Sequence, residues 1–162
     1  MSLTLLIFRH AKSDFDAPSD HERVLTEYGQ QQAMFMGELL EEKAQSPDFV
    51  LCSSALRAKE TLDLAMTAGK WVCDSSVTDA LYETTAETTL ELLKQMSDDD
   101  QTIMLVGHEP VWSDLAFSLT GQIATFNAAG MACISFTASH WNEVAFGSGS
   151  LEWYENPEIS SG

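Results

Sequence analysis

Residues 3–10 read Leu-Thr-Leu-Leu-Ile-Phe-Arg-His, an apolar run that stops at a charged pair. A near-continuous apolar run of this length is typical of a parallel strand that is buried on both faces. Two further short apolar runs, residues 49–52 and 102–106, have the same character and are also followed by polar residues. The three runs predict strands of one sheet whose carboxyl ends carry polar side chains.

Segments of helical character separate these runs. Residues 26–43 carry an apolar stripe at helical period, and Ser54 is a predicted N-cap for a helix that runs to about residue 66. A capping box of Thr84 with Glu87 predicts a third helix, and Pro110 predicts the first turn of a fourth helix that ends near Gly121.

The rest of the chain predicts a loop over residues 12–23 and four more strands, at residues 71–73, 131–136, 144–146 and 151–154. Strands that alternate with helices predict an α/β fold, here a three-layer α/β/α sandwich with a mostly parallel central sheet. The last strands have no helices between them, so we expect the sheet to be mixed at one edge.

Length and charge limit both the architecture and the partners. The 162 residues, of which 44% are hydrophobic, predict a single domain over residues 1–155 and a frayed tail over residues 156–162. The net charge of −17 disfavours nucleic acids and anionic membranes as partners, because both require a basic surface. No apolar run has the roughly 20 residues needed to cross a bilayer. We expect a monomer or a weak dimer.

The cysteines and histidines are isolated from one another. Three separate cysteines in apolar stretches predict buried thiols in a reducing compartment, which points to the cytoplasm, since the N-terminus resembles a strand rather than a signal peptide. The four histidines have no spacing typical of a metal site. We therefore expect no metal and no cofactor.

The polar residues after the three buried strands have chemistry in common. Arg9 and His10 follow the first strand, Arg57 follows the second, and His108 follows the third. Ligands of such folds bind beyond the carboxyl ends of the strands, so these side chains are expected to meet. Cations gathered at one edge of an acidic protein indicate a phosphate site. The alternatives are a structural role for each histidine and a surface Arg57 that pairs with Glu60.

These residues also carry a family resemblance. The chain contains Arg9-His10-Ala11-Lys12-Ser13, then Leu25-Thr26-Glu27-Tyr28-Gly29, then Ser53-Ser54-Ala55-Leu56-Arg57-Ala58, and finally Val106-Gly107-His108-Glu109-Pro110. In this order the motifs resemble the histidine phosphatase superfamily, with its phosphoglycerate mutase-like fold. The Arg-His-Ala-Lys-Ser version and the short length are most similar to its SixA-type branch, the small phosphohistidine phosphatases. Ala11 stands where the commoner signature has glycine.

The resemblance implies a role for each of these side chains. It implies that His10 is the nucleophile and is transiently phosphorylated, and that Arg9, Arg57 and His108 bind the phosphoryl group. Arginine forks and a second imidazole can stabilise the phosphoryl oxygens without a metal.

Other side chains are candidates on the same basis. Ser13 and Arg23 are candidates for further phosphate donors. Glu83 is the candidate general acid, with Asp20 as an alternative and with a solvent-exposed Glu83 of no catalytic role as another. SixA-type members lack a dedicated acid at that place.

The predicted function is hydrolysis of a phosphoryl group by a metal-independent phosphatase through a phosphohistidine intermediate. The absence of a long insertion predicts an open site, which suits phosphohistidine on a protein better than an enclosed metabolite. The alternatives are a phosphatase or mutase that acts on a small phosphorylated molecule, and a phosphate-binding module without turnover.

Overall fold

The structure is a computed structural model that describes residues 2–159. Strands and helices alternate along most of the chain, as the sequence predicts. In chain order the elements are β1 (Leu3–Arg9), α1 (Glu27–Glu42), β2 (Phe49–Ser53), α2 (Leu56–Gly69), β3 (Asp74–Thr78), α3 (Ala86–Leu93), β4 (Thr102–Gly107), α4 (Val111–Thr120), β5 (Met131–Phe136) and β6 (Gly149–Glu155). Short 3-10 helices occur at Asp20–Glu22, Asp79–Leu81 and Trp141–Glu143.

The sheet has the strand order β3-β2-β4-β1-β5-β6. The first four strands are parallel, and β5 and β6 are antiparallel to their neighbours. The predicted sheet, mostly parallel and mixed at one edge, is confirmed. In the β1–β4 register Arg9 lies opposite Gly107, and this pairing places His10 beside His108 at the edge of the sheet.

Two hydrophobic clusters cover the two faces of the sheet and confirm the predicted three layers. Leu6 and Phe8 of β1 pack in the cluster that includes α1 and α2, whereas Leu5 and Ile7 pack in the cluster that includes α3 and α4. Alternate residues of one strand point to opposite faces, so an unbroken apolar run is what a covered sheet requires. No helix within residues 2–159 is long and apolar enough to cross a membrane.

A tight contact fixes the end of β4 near the site. The Trp112 side chain is fully buried, and its Nε1 donates to the carbonyl oxygen of Phe8 at 2.9 Å. A Cβ on Gly107 would lie 2.6 Å from the Trp112 ring, which is closer than van der Waals contact allows. Glycine is therefore required where β4 passes this ring.

Some predicted elements are wrong. The sequence predicts a strand at residues 71–73, but the strand is β3, which begins at Asp74. Its residues are mostly polar and exposed and so give no apolar signal, while the apolar Trp71 is buried in the cluster that includes α1 and α2. Residues 144–146 form no strand, and the stretch predicted as a loop includes the 3-10 helix Asp20–Glu22. The α3 cap is Thr85, whose side chain accepts from the Thr88 amide, and not Thr84.

The last described residues contact the body of the protein. The Asn156 side chain accepts from the Asn127 amide at 2.9 Å, and the Tyr28 hydroxyl donates to the Ile159 carbonyl at 3.2 Å. Residues 160–162 of the predicted tail lie outside the described residues, so the domain boundary at residue 155 stays a prediction.

Candidate active site

The carboxyl ends of β1, β2 and β4 surround one cleft, with a volume of about 390 Å³. It is lined by Arg9, His10, Phe15, Asp20, Arg23, Arg57, Tyr82, Glu83, His108 and Glu109. The structure thus brings together the two histidines and the two arginines that the sequence places after separate strands. It also brings Arg23 and Glu83 to the same cleft, whereas Ser13 does not line it.

His10 is held as a neutral imidazole. Its Nδ1 lies 2.7 Å from the Ala11 carbonyl oxygen, which can only accept, so Nδ1 carries the proton and Nε2 keeps a lone pair. The pKa of His10 is lowered to about 3, mainly by burial; the charges of Arg57 and Arg9 act in the same direction, while the Ala11 contact opposes the change. A neutral imidazole with a free ring nitrogen is a nucleophile at neutral pH.

Arg57 is a buried part of the site. Only 6% of the residue is exposed, its Nε lies 3.4 Å from His10 Nε2, and its two terminal nitrogens donate to Asp20. Glu60 instead accepts from the Leu25 amide at 3.1 Å. The alternative of a surface Arg57 paired with Glu60 is therefore wrong, because the cation is turned inward and has a different partner.

The Arg9 guanidinium has one nitrogen that is hydrogen-bonded to the backbone and another that is buried without an acceptor in the described part of the chain. Its terminal NH1 donates to the Phe126 carbonyl at 2.8 Å, while its Nε is buried and has no hydrogen-bond partner among residues 2–159. A buried donor without an acceptor costs free energy, and an anion in the cleft would relieve that cost. Together with Arg57, this guanidinium makes the cleft a site for an anionic group.

His108 is the second imidazole of the cleft. Its ring centroid lies 5.2 Å from that of His10, and its Nε2 lies 2.8 Å from the Ser53 hydroxyl. Burial, followed by the charge of Arg57, lowers the pKa of His108 to about 4. Both imidazoles are therefore neutral near pH 7, and the positive charge in the cleft comes from guanidinium groups.

Asp20 joins the two sides of the cleft. Its carboxylate accepts from the Tyr82 hydroxyl at 2.6 Å, from Arg23 at 3.0 Å and from Arg57 at 3.2 Å. The hydrogen bonds from Tyr82 and Arg23 hold the pKa of this carboxyl well below its usual range. An ionised carboxylate has no proton to give, which argues against Asp20 as the general acid. Glu83 is exposed at the rim, and its role as the acid stays a prediction.

Arg23 and Ser13 pair with each other. Arg23 donates from NH2 to the Ser13 hydroxyl at 2.6 Å and from Nε to the Asp14 carbonyl at 3.0 Å. With NH1 on Asp20, each nitrogen of this guanidinium already has a protein acceptor. The role of Arg23 and Ser13 as phosphate donors stays a prediction. The contacts that the structure shows for them anchor the loop that carries Asp20.

Sequence reasoning did not identify three side chains near the cleft. Tyr82 holds Asp20 and stacks edge-on with His21, whose Nε2 lies 3.0 Å from the Ser54 hydroxyl. Ser54 is therefore not the cap of α2, a position that Ala55 occupies. Phe15 is 83% exposed at the rim. A phenylalanine within a polar loop was the available signal for Phe15, whereas Tyr82 and His21 become recognisable only through tertiary contacts.

Metal ligands are not grouped in the described chain. Within residues 2–159, no set of three or more histidine, cysteine, aspartate or glutamate side chains is placed to hold a metal ion. The three cysteines are free thiols, and burial raises the pKa of Cys52 to about 12.

Known proteins are similar to this chain in sequence and in fold. The model of the histidine phosphatase superfamily (branch 1) matches residues 5–96. An uncharacterized protein of Mycobacterium leprae is 32% identical, with 92% of this chain and 99% of that protein covered. A structure assigned as the phosphohistidine phosphatase SixA of Nakamurella multipartitia is similar at a TM-score of 0.89 and 25% identity, with 98% of each chain covered.

A second structure, the protein histidine phosphatase SixA complexed with tungstate, shares the fold at a TM-score of 0.84 and 23% identity. It covers 96% of this chain and 97% of its own. The family match, the phosphoglycerate mutase-like fold and the paired histidines and arginines agree with one another. The chain is a phosphatase and belongs to branch 1 of the histidine phosphatase superfamily.

Proposed function

We propose that this phosphatase hydrolyses phosphohistidine on a protein, without a metal, through a phosphorylated His10. The observation that carries the proposal is the neutral His10, whose Nε2 lone pair lies in a cleft beside Arg57 and His108. Guanidinium and imidazole donors can stabilise the charge on the transferred phosphoryl oxygens, which is the part that a metal ion plays in other phosphatases.

The proposed reaction has two displacements at phosphorus. His10 Nε2 attacks the phosphorus, a P–N bond to His10 forms as the P–N bond of the substrate breaks, and the released imidazole takes up a proton. Water then attacks phospho-His10, its P–O bond replaces the bond to Nε2, and inorganic phosphate leaves with the release of a proton. The net reaction consumes one water molecule, and His10 returns to its neutral form.

The leaving group supports phosphohistidine over a sugar phosphate. An imidazole nitrogen is protonated near neutral pH, so solvent or an exposed carboxyl such as Glu83 suffices as the acid, whereas an alkoxide requires a strong, well-placed one. Of the other carboxylates that line the cleft, Asp20 is ionised, and Glu109 accepts hydrogen bonds from the Ser113 amide and hydroxyl. The site therefore favours substrates whose leaving group needs little help.

The comparisons support a phosphorylated protein as the substrate. The tungstate in the similar SixA structure is an oxyanion, the same class of ligand as a phosphoryl group. One similar structure is named as a phosphohistidine phosphatase and the other as a protein histidine phosphatase, and that substrate class is proposed for this chain. The three cysteines are free, with Cys52 and Cys133 buried and Cys73 only partly buried, which differs from the predicted three buried thiols. Free thiols are consistent with a reducing compartment, so the proposed location is the cytoplasm.

The test measures phosphate release in the presence of EDTA from a phosphohistidine peptide, an aryl phosphate and a sugar phosphate. We expect the highest kcat/KM for the peptide, with a loss of about 10⁴-fold or more in His10→Ala. His140→Ala is the control, because that ring is exposed and bonded to Asp98.

The outcomes separate the candidate functions. Radiolabel on His10 that is released as phosphate supports the intermediate. Activity on the sugar phosphate alone would move the function to small molecules, and dependence on a divalent metal would overturn the metal-independent mechanism.

A further inference from the structure

Phe15 stands out among the apolar side chains. It is 83% exposed, yet it lines the same cleft as His10. A lone exposed phenylalanine needs no explanation on an ordinary surface, but aromatic rings beside a reactive group are a common means of binding a planar ligand. The question is what this ring contacts when substrate is present.

The ring of Phe15 is supported on one face. The guanidinium carbon of Arg23 lies 4.1 Å from the ring centroid, a stacking distance. Arg23 is itself fixed by Ser13, Asp14 and Asp20 through all three of its nitrogens. The loop therefore presents Phe15 on a rigid support, and the high exposure leaves the opposite face of the ring open.

Phe15 lines the cleft in which His10 would accept the phosphoryl group, so the group that departs from phosphorus must occupy the volume near this ring. We propose that Phe15, supported by Arg23, forms a subsite for the leaving group and stacks on the imidazole ring of the phosphohistidine substrate. This inference rests on the proposed function and adds a specificity-determining contact to it. Neither Phe15 nor its ring is needed for the attack by His10.

The stacking partner fits an imidazole better than a sugar. Planar rings gain from offset or edge-on contact with phenyl, and the contact excludes water from an otherwise exposed apolar surface. A sugar offers hydroxyl groups, and the phenyl ring of Phe15 has no polar atom to hydrogen-bond with them. Phe15 would thus discriminate by the group attached to phosphorus, while the guanidinium groups bind the phosphoryl group common to all substrates.

The test compares two substrates that share a P–N bond and differ in the ring. These are a phosphohistidine peptide and phosphoramidate, which has no ring. We expect Phe15→Ala to lower kcat/KM about tenfold for the peptide, mostly through KM, and to leave phosphoramidate within about twofold. Phe15→Tyr keeps the ring and should restore the peptide activity. Val72→Ala, at a residue 90% exposed and away from this cleft, is the control.

Each outcome decides the inference. Equal losses on both substrates would mean that Phe15 supports the loop rather than the ring, and would overturn the subsite. Wild-type activity in Phe15→Leu would overturn the stacking contact. A wild-type enzyme that releases phosphate from phosphoramidate but not from phosphohistidine would overturn the proposed function itself, a result independent of every Phe15 variant.

Discussion

The two ends of the parallel strands carry opposite chemistry. At the carboxyl ends, a cleft of about 390 Å³ holds His10, His108 and the arginines. At the amino ends, a larger cleft of about 640 Å³ is lined by Ser46, Pro47, Asp48, Val72, Cys73, Asp74, Asp99 and Asp100. Both clefts are open to solvent. Among residues 2–159, three arginines and three carboxylates line the first, whereas four aspartates and no cation line the second, and only the first contains an imidazole nucleophile.

The difference shows that the side chains, not the size of the cleft, define the site. At the amino end, burial and then the charges of Asp48, Asp99 and Asp74 raise the pKa of Asp100. Cys73 is a protonated thiol there, with burial as the main cause of its pKa of about 11. Among the described residues that line this cleft, none is a lysine, arginine or histidine, so it has no group suited to an anion.

Among substitutions that keep the charge of a cleft arginine, Arg57→Lys is expected to cause the largest loss of activity. Lysine keeps the charge but cannot hold Asp20 with two nitrogens while presenting a third to His10. We expect kcat/KM for a phosphohistidine peptide to fall by about 10²-fold, the loss typical of one stabilising donor. Steady-state kinetics with the matched cation exchange Lys94→Arg as the control would check this. A change within threefold would mean that charge alone is sufficient.

The second prediction concerns proton binding by the two histidines at the carboxyl ends of the strands. His10 and His108, with pKa values of about 3 and about 4, should stay neutral down to pH 5. At that pH an imidazole of ordinary pKa would be only about 3% neutral, so the nucleophile would be about thirtyfold scarcer. NMR titration of the imidazole carbons checks the two values, and midpoints near 6.5 for both rings would contradict the prediction.

The same titration has a consequence for stability. The unfolded chain binds protons at these two histidines near pH 6.5, while the folded chain does not until pH 4 or below. Acidification across that window therefore favours the unfolded state and lowers the free energy of unfolding. Their contribution is complete above pH 6.5 and is lost progressively as the pH falls.

The fold was predictable for those elements whose buried positions require apolar residues. The central strands β1 and β4 are covered on both faces, so their apolar runs show where each strand lies in the chain and that it belongs to a buried parallel sheet. The edge strand β3 was misplaced because its residues are mostly exposed and its pairing comes from the neighbouring β2. The cap of α3 was off by one residue because the adjacent Thr84 and Thr85 side chains both suit that role. The cap of α2 was off by one residue because the Ser54 hydroxyl contacts His21 and Ala55 stands at the cap without a side-chain hydrogen bond.

The site was predictable in its composition but not in its internal contacts. Motifs at separate strand ends gave Arg9, His10, Arg57 and His108, because parallel strands bring their carboxyl ends together. The hydrogen bond that Arg57 donates to Asp20 spans 37 residues and depends on how one loop folds over α2, which no local pattern encodes.

The smallest effect is expected at the acidic amino end, where two neighbouring aspartates should respond in opposite directions. Asp100 is surrounded by carboxylates, so Asp100→Asn removes repulsion and should raise Tm at pH 7 by about 1–2 °C. Asp98 instead accepts from the Trp141 amide and from His140, each at 3.0 Å, so Asp98→Asn should lower Tm.

Thermal unfolding of both variants, with phosphatase activity measured alongside, tests this pair. Activity should stay at the wild-type level in each, because neither side chain is near the catalytic cleft. If Asp100→Asn instead lowers Tm, the carboxylate contributes a stabilising interaction that outweighs the repulsion. If it lowers activity without changing Tm, the two ends of the sheet are coupled, and the contrast between a catalytic end and an inert one fails.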